Sequence, residues 1–352
     1  MFEGRSDCLS SNQTKNKFDE RYDIRLARLD EIDELMTFID TWWRKGHIMA
    51  RDRAMFEYEY VVDGRVNMMI AKERATNKIV GFNGFLMASK NKDKLDLWGS
   101  MRKVVPGSMG LLGLEIVKRK ERLLNARSYL SMGINEDTTV PINKYMRHYD
   151  DVGKLTHFYC LSDRSDYRIA KVAHYESFEG ERDYRVQLTP IKNLDDLRRV
   201  YDFSCSEDAI PYKDEWYINR RFLEHPIFEY QVFGLSEDDG KAQALLVCRE
   251  QPYGGATALR IVDYIGKPHL FGGLSGFLSD ALKKYEYVDL YCRNFDEASV
   301  RRAGLIELSD DDINIIPNYF QPYVAKNVDI WCATPKGKAV FFKADGDQDR
   351  PN

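Results

Sequence analysis

Met101-Arg-Lys-Val-Val105-Pro106-Gly107-Ser-Met-Gly110-Leu-Leu-Gly113, with the residues that follow it as far as Tyr149, decides how this chain is read. A strand-like run enters glycines spaced three apart, a helical segment follows, a second strand runs from Tyr129 to Asn135, and a further helix carries Tyr145. Glycines at that spacing let the backbone bend tightly and approach a ligand, while the following helix turns its unpaired N–H groups and positive dipole end towards the loop. Such a loop suits a phosphate or pyrophosphate. On the motif alone, a tight strand-to-helix turn with no ligand is equally open. A P-loop is excluded, because no Gly-Lys-Ser/Thr follows. A dinucleotide site needs an acidic residue about twenty residues on, and positions 127–136 offer only Glu136, past the end of the strand.

The chain also repeats itself. Phe56-Glu-Tyr58, Val66 to Lys72 and Ile79 to Phe85 find an echo in Phe228-Glu-Tyr230, Gln231 to Leu235 and Ala242 to Arg249. The echo continues through strands Thr257–Tyr264 and Tyr287–Asn294, with a helix between them from about Gly273 to Tyr285. Each half reads as apolar-patterned strands interrupted by helices. Helices are expected after Asp30 and Asn193, each placed as an N-cap. In the second half the turn is Gly266 to Gly273, of different length, and Val300 stands where Tyr145 stands in the first. Only the first half carries the full set of groups.

These residues resemble the GNAT superfamily of acyl-CoA N-acyltransferases. The resemblance covers residues 22 to 334 and implies an α/β fold of α+β type: two tandem GNAT-like domains, each a mostly antiparallel sheet with flanking helices. It implies one coenzyme A site, in the first half. Val104 and Val105 correspond to the strand end whose backbone pairs with pantetheine. Gly107, Ser108, Met109, Gly110, Leu111, Leu112 and Gly113 correspond to the pyrophosphate turn, although Gly107 stands where the family has Arg or Gln. Tyr129 to Asn135 corresponds to the splayed neighbouring strand, with Asn135 at its end, and Tyr145 to the acid that protonates the leaving thiolate. The expected organisation is an arm over 1–21, a first domain over 22–162, a linker over 163–183, a second domain over 184–335 and a tail over 336–352.

Ile210-Pro-Tyr-Lys213, Arg220 to Pro226, Leu259 to Asp263 and Ile315 to Pro322 are similar to tandem members of that superfamily from bacterial surface-polysaccharide pathways. That similarity implies transfer of an acyl group, such as 3-hydroxybutanoyl, to the amine of a dTDP-linked amino-deoxysugar. Another amine, on a peptide or an aminoacyl-tRNA, and a non-catalytic binding protein are the alternatives. Amine acylation needs a proton acceptor and a donor for the thiolate. Asp96 and His47 are the candidate bases beside Tyr145, unless a water relay serves. Arg260, Asp263, Asn318 and Tyr319 are the candidate acceptor contacts, for ring faces and diphosphate. Arg260 and Asp263, three apart on a strand, point to opposite faces unless a bulge intervenes. Trp42-Trp43 reads as a helix-to-core anchor, and Met49, Met55, Met68 and Met69 as ordinary packing.

Bulk properties set outer limits. The 352 residues suffice for two domains, and 43% hydrophobic with 12% aromatic residues can fill two cores. A net charge of −4 from 52 basic and 56 acidic residues argues against a nucleic-acid partner. Six scattered cysteines without a CxxC pair indicate neither a metal site nor a disulfide framework. No apolar run approaches the roughly twenty residues that span a bilayer, and the first residues lack a signal-peptide pattern, so a cytoplasmic monomer or homodimer is expected.

Overall fold

The computed structural model describes residues 16–177, 182–309 and 312–352. The arm expected over 1–21 lies outside the described residues as far as residue 15, and its described end, Lys17–Arg21, is a helical turn leading into the first strand. Residues 178–181 of the expected linker, and Cys8, also lie outside.

The strands that matter run in chain order as β1 (Tyr22–Leu26), β2 (Met68–Glu73), β3 (Lys78–Met87), β4 (Asp96–Val104), β5 (Ser128–Met132), β6 (Asp151–Lys154) and β7 (Thr156–Leu161). They continue as β8 (Gln187–Ile191), β9 (Gln231–Ser236), β10 (Ala244–Tyr253), β11 (Ala256–Gly266), β12 (Tyr287–Arg293), β13 (Ile306–Glu307), β14 (Trp331–Thr334) and β15 (Phe341–Phe342). Two mixed sheets result, with strand orders β1-β2-β3-β4-β5-β14-β6 and β8-β9-β10-β11-β12-β7-β13. In each, antiparallel neighbours precede one parallel pair, β4 with β5 and β11 with β12. The halves exchange a strand. β7 pairs with β12 in the second sheet, and β14 pairs with β5 and β6 in the first.

The helices carry the expected spacing. α1 (Ile32–Phe38) buries Ile32, Leu35 and Phe38 on one stripe. Its N-cap is Glu31 rather than Asp30, which lies in the preceding helical turn and pairs with Arg28. The reason is local: the Glu31 carboxylate reaches back to the Arg28 amide at 2.9 Å and starts the helix one residue later. α2 (Leu112–Leu124) crosses between β4 and β5, burying Leu112, Ile116, Val117 and Lys120. α3 (Leu194–Val200) is capped by Asn193, whose Oδ1 accepts from the Asp196 amide at 2.9 Å. α4 (Ser275–Ala281) occupies the crossover of the second half.

Met49, Met55 and Met68 are buried in the first half's core beside Leu35 and Phe82, and Met69 in a smaller cluster with Tyr22 and Ile116. Each such side chain contributes about 1.5–3 kcal/mol on leaving water. A second core joins the halves, packing Trp98, Leu130 and Met132 against Tyr217, Phe222, Val262 and Ile265. Cys160, Cys248, Cys292 and Cys332 are buried free thiols. Among the described residues no helix is long and apolar enough to cross a membrane.

Candidate active site

β4 and β5 run side by side only from Asp96↔Ser128 to Gly99↔Ser131. Beyond that point β4 continues to Val104 paired with β3 alone, while β5 turns to β14, so the two strands splay. A cavity of about 560 Å³ fills the opening, lined by Ser100 to Lys103, by Met132 to Asn135 and by Val117, Lys120 and Glu121 of α2. One edge of β4, over residues 100–103, therefore faces the cavity with backbone groups that no strand pairs. Lys120 is the anomaly in the apolar stripe of α2: it is 4% exposed, and burial pushes its amine down to about 8. Burial also lowers the Arg102 guanidinium, with the Arg147 charge adding to it. Arg147 pairs with Glu121 at 2.5 Å and lies 4.6 Å over the Tyr149 ring, whose phenol burial pushes upward.

In the second half the corresponding opening is filled. β11 and β12 pair in parallel over Leu259↔Val288 to Ile261↔Leu290, and the opening beyond is plugged by the chain's own 341–344 segment. Phe341 and Phe342 pair with Arg293 and Cys292, and the Ala344 amide donates to the Val262 carbonyl at 2.8 Å. That filling is the physical difference between the two halves at this position.

A second cavity of about 260 Å³ lies between the halves. Its walls include Trp43, His47, Phe228, Arg249, Arg260, Asn318, Tyr319 and Lys343, and it meets the first cavity at Trp43, Asp347, Gln348 and Arg350. At the junction the Asp347 carboxylate accepts from Ser100 Oγ at 2.7 Å, and Arg350 stands 3.4 Å away. Ser100 Oγ in turn lies 2.7 Å from the Tyr60 hydroxyl. Gly133 admits this segment, since a Cβ there would sit 2.0 Å from Gln348 Nε2.

The residues singled out from sequence fall into distinct places. His47, Arg260, Asn318 and Tyr319 come together around the second cavity. His47 caps a helical turn, its Nδ1 accepting from the Met49 amide at 3.2 Å, and burial pushes its pKa down to about 4, helped by Arg350 and Arg44. Asn135 lines the cleft. Val104 ends β4, and Val105 and the turn from Gly107 to Gly113 follow it, all outside the cavity walls. Nothing lies within 4 Å of where a Cβ would be at Gly107 or Gly110, Leu111 adopts a left-handed φ of 67°, and the Met109 amide donates to the Tyr22 hydroxyl at 3.0 Å. Tyr145 is 74% exposed and not among the cleft residues, whereas Tyr149 is.

Asp96 is fully buried beneath the cleft, ion-paired with Arg127 and accepting from the Tyr212 amide at 2.7 Å. Arg260 and Asp263 do share a face, because a bulge opposite Val247 and Cys248 inserts Val262 between their registers. Asp263 is sealed by Lys213 at 2.6 Å, and Arg260 is held by Asp289 and by the Asn318 carbonyl at 2.9 Å. The Trp42-Trp43 reading is corrected: both rings are 41% exposed, and Trp43 walls both cavities. Sequence reading passed over Lys343 and the segment Asp345-Gly-Asp-Gln-Asp349-Arg-Pro-Asn352. Its signal was the apolar run Ala339 to Phe342 just before it, which a solvated tail does not need.

No protein-family model matches this sequence, and no curated protein does. Solved structures do resemble it. A conserved protein of unknown function from Enterococcus faecalis superposes with a TM-score of 0.53 at 11% identity, over 89% of this chain and 72% of that one. A GCN5-related N-acetyltransferase from Anabaena variabilis gives 0.53 at 11% identity over the same shares, 89% and 72%. One from Kribbella flavida gives 0.52 at 13% identity, over 89% and 71%. With two sheets of one topology, each opening after its parallel pair, the chain has the GCN5-related N-acetyltransferase fold in two tandem units.

Proposed function

We propose that the protein is an acyl-CoA-dependent N-acyltransferase whose thioester lies in the cleft between β4 and β5 and whose amine acceptor enters from the second cavity. The observation that carries this reading is the unpaired edge of β4 over residues 100–103. An extended chain bearing amides can add to such an edge as a strand would, and pantetheine is such a chain. Arg102, Lys103, Lys120 and Arg147 supply cationic groups beside it. The glycine turn from Gly107 to Gly113, with the helix α2 behind it, stands at the outer end of β4 to take the pyrophosphate.

The amine would attack the thioester carbonyl where the cavities meet. The tetrahedral intermediate carries an acidified N–H, and the Asp347 carboxylate at the junction accepts that proton. As the carbon–sulfur bond breaks, the thiolate takes a proton from a phenol, and Tyr149 faces the cleft while Tyr145 faces solvent. Tyr145→Phe is therefore expected to leave kcat within about twofold, and Tyr149→Phe to lower it by roughly 10²-fold. Equal effects in single-turnover thiol release would remove Tyr149 from the acid role.

For the acceptor, aromatic walls at Trp43, Phe228, Tyr319 and Phe320 beside cationic groups support a dTDP-linked amino-deoxysugar of a surface-polysaccharide pathway. Calorimetry with CoA and acyl-CoA, then thiol release with a panel of nucleotide amino sugars, tests both levels. CoA binding with sugar-dependent thiol release is expected. Absence of CoA binding at high ligand concentration would overturn the acyl-transfer reading, and thiol release with other amines but no sugar would overturn the finer one.

A further inference from the structure

We propose that the second cavity is a built oxyanion seat, in which Lys343 Nζ and Asn318 Nδ2 together hold a negatively charged group of the acceptor. Lys343 is 4% exposed and lines the cavity. Among the described residues its amine makes no hydrogen bond or ion pair; its close neighbour is the Tyr291 ring, at 5.9 Å. The carboxylates whose charge reaches it are engaged elsewhere. Asp349 is held by Arg249 at 2.7 Å and by the Tyr230 hydroxyl at 2.9 Å, and Asp289 by Arg260 and by His157 at 3.1 Å.

Asn318 supplies the second, independent observation. It is 4% exposed, and its Oδ1 accepts from Arg260 Nη2 at 3.1 Å, which fixes the amide so that the Nδ2 donor points the other way. That donor has no partner. A buried donor without an acceptor and a buried ammonium without a counter-ion each cost stability, so both are retained against it.

The charge around them is net positive. Arg44, Arg249, Arg260, Lys343 and Arg350 line the cavity against Asp347 and Asp349, with His47 neutral. Burial and the Arg260 charge push the Lys343 amine down to about 7, a cost that an arriving anion removes. Donors without acceptors, in a cavity with surplus positive charge, select an oxyanion over a neutral hydroxyl group. A phosphate or diphosphate and a sugar carboxylate share that chemistry. That the ligand is the acceptor rests on the acyl-transfer reading; the anion seat does not.

The test is calorimetric titration of the full chain with pyrophosphate and, separately, with glucuronate, in wild type, Lys343→Met and Asn318→Asp. Lys343→Met removes an unpaired buried charge and so keeps the fold, while Asn318→Asp replaces the free donor by a carboxylate in the same cavity wall and so repels an anion. Wild type should bind one of the probes, which identifies the source, and each variant should weaken it at least about tenfold with CoA affinity and melting temperature retained. No binding of either probe to wild type, or equal binding by the variants, overturns the seat. If the anion binds in a Lys343-dependent way and CoA does not bind at all, the seat stands and the acyl-transfer reading falls.

Discussion

Asp347→Asn is expected to lower kcat by about 10²–10³-fold while leaving CoA affinity within about twofold. Asp347 is the one carboxylate that lines both cavities among the described residues, and Ser100 and Arg350 fix its position. Asparagine keeps the shape and can still accept from Ser100 Oγ, but its amide cannot take a proton from the acylated amine. The other candidate bases are engaged. His47 spends its Nδ1 lone pair on the Met49 amide and carries its proton on Nε2, and Asp96 is locked beneath the cleft by Arg127. The measurement is single-turnover thiol release with acceptor saturating. A near wild-type rate in Asp347→Asn would sink this role and point to a water relay, whereas a change confined to KM would mean that Asp347 only positions the acceptor.

Much of the first half was legible because its signals are local. Glycine spacing, alternation in the strands and the apolar stripe of α2 all act within one unit of strand, turn and helix, and the same order recurs in the second half. The strand exchange was not legible. β7 and β14 carry ordinary strand patterns, and nothing within either says which sheet receives it, because pairing over more than a hundred residues is decided by tertiary packing. Arg260 and Asp263 show the boundary well: a period of two sets them on opposite faces, and one inserted residue, Val262, reverses that. Tyr145 was placed by family spacing, but the turn of Ile142–Met146 directs it to solvent, and the phenol that reaches the cleft comes four residues later. The segment after Ala339 misled by composition. Its charges resemble a solvated tail, yet Asp345, Asp347, Asp349 and Arg350 all find partners between the sheets.

Lys213→Met should destabilise the fold by about 3–5 kcal/mol near neutral pH, the largest stability effect expected of a single change. Lys213 is 4% exposed and lies 2.6 Å from Asp263 on β11 and 2.7 Å from Asp345 on the C-terminal segment, both carboxylates being fully buried. Burial already pushes Asp263 up to about 6, with Lys213 opposing and the Asp345 charge adding to the rise. Without the ammonium, two carboxylates would face each other in a dry site and one would have to hold a proton. A carboxyl whose folded pKa lies above its unfolded value of about 3.8 leaves stability unharmed below that pH and removes it as pH climbs through the folded value. The loss in the variant should therefore be small at about pH 4.5 and full at about pH 7.5, read by urea unfolding at both. An equal loss at both pH values, or one under about 1 kcal/mol at the higher pH, would show that the cluster does not bear this load. Asp345 also stands two residues before Asp347, so loosening it frees the segment that carries the proposed base. At about pH 7.5 the variant should lose turnover before it loses its fold, linking the charge cluster that plugs the second half to the chemistry of the first.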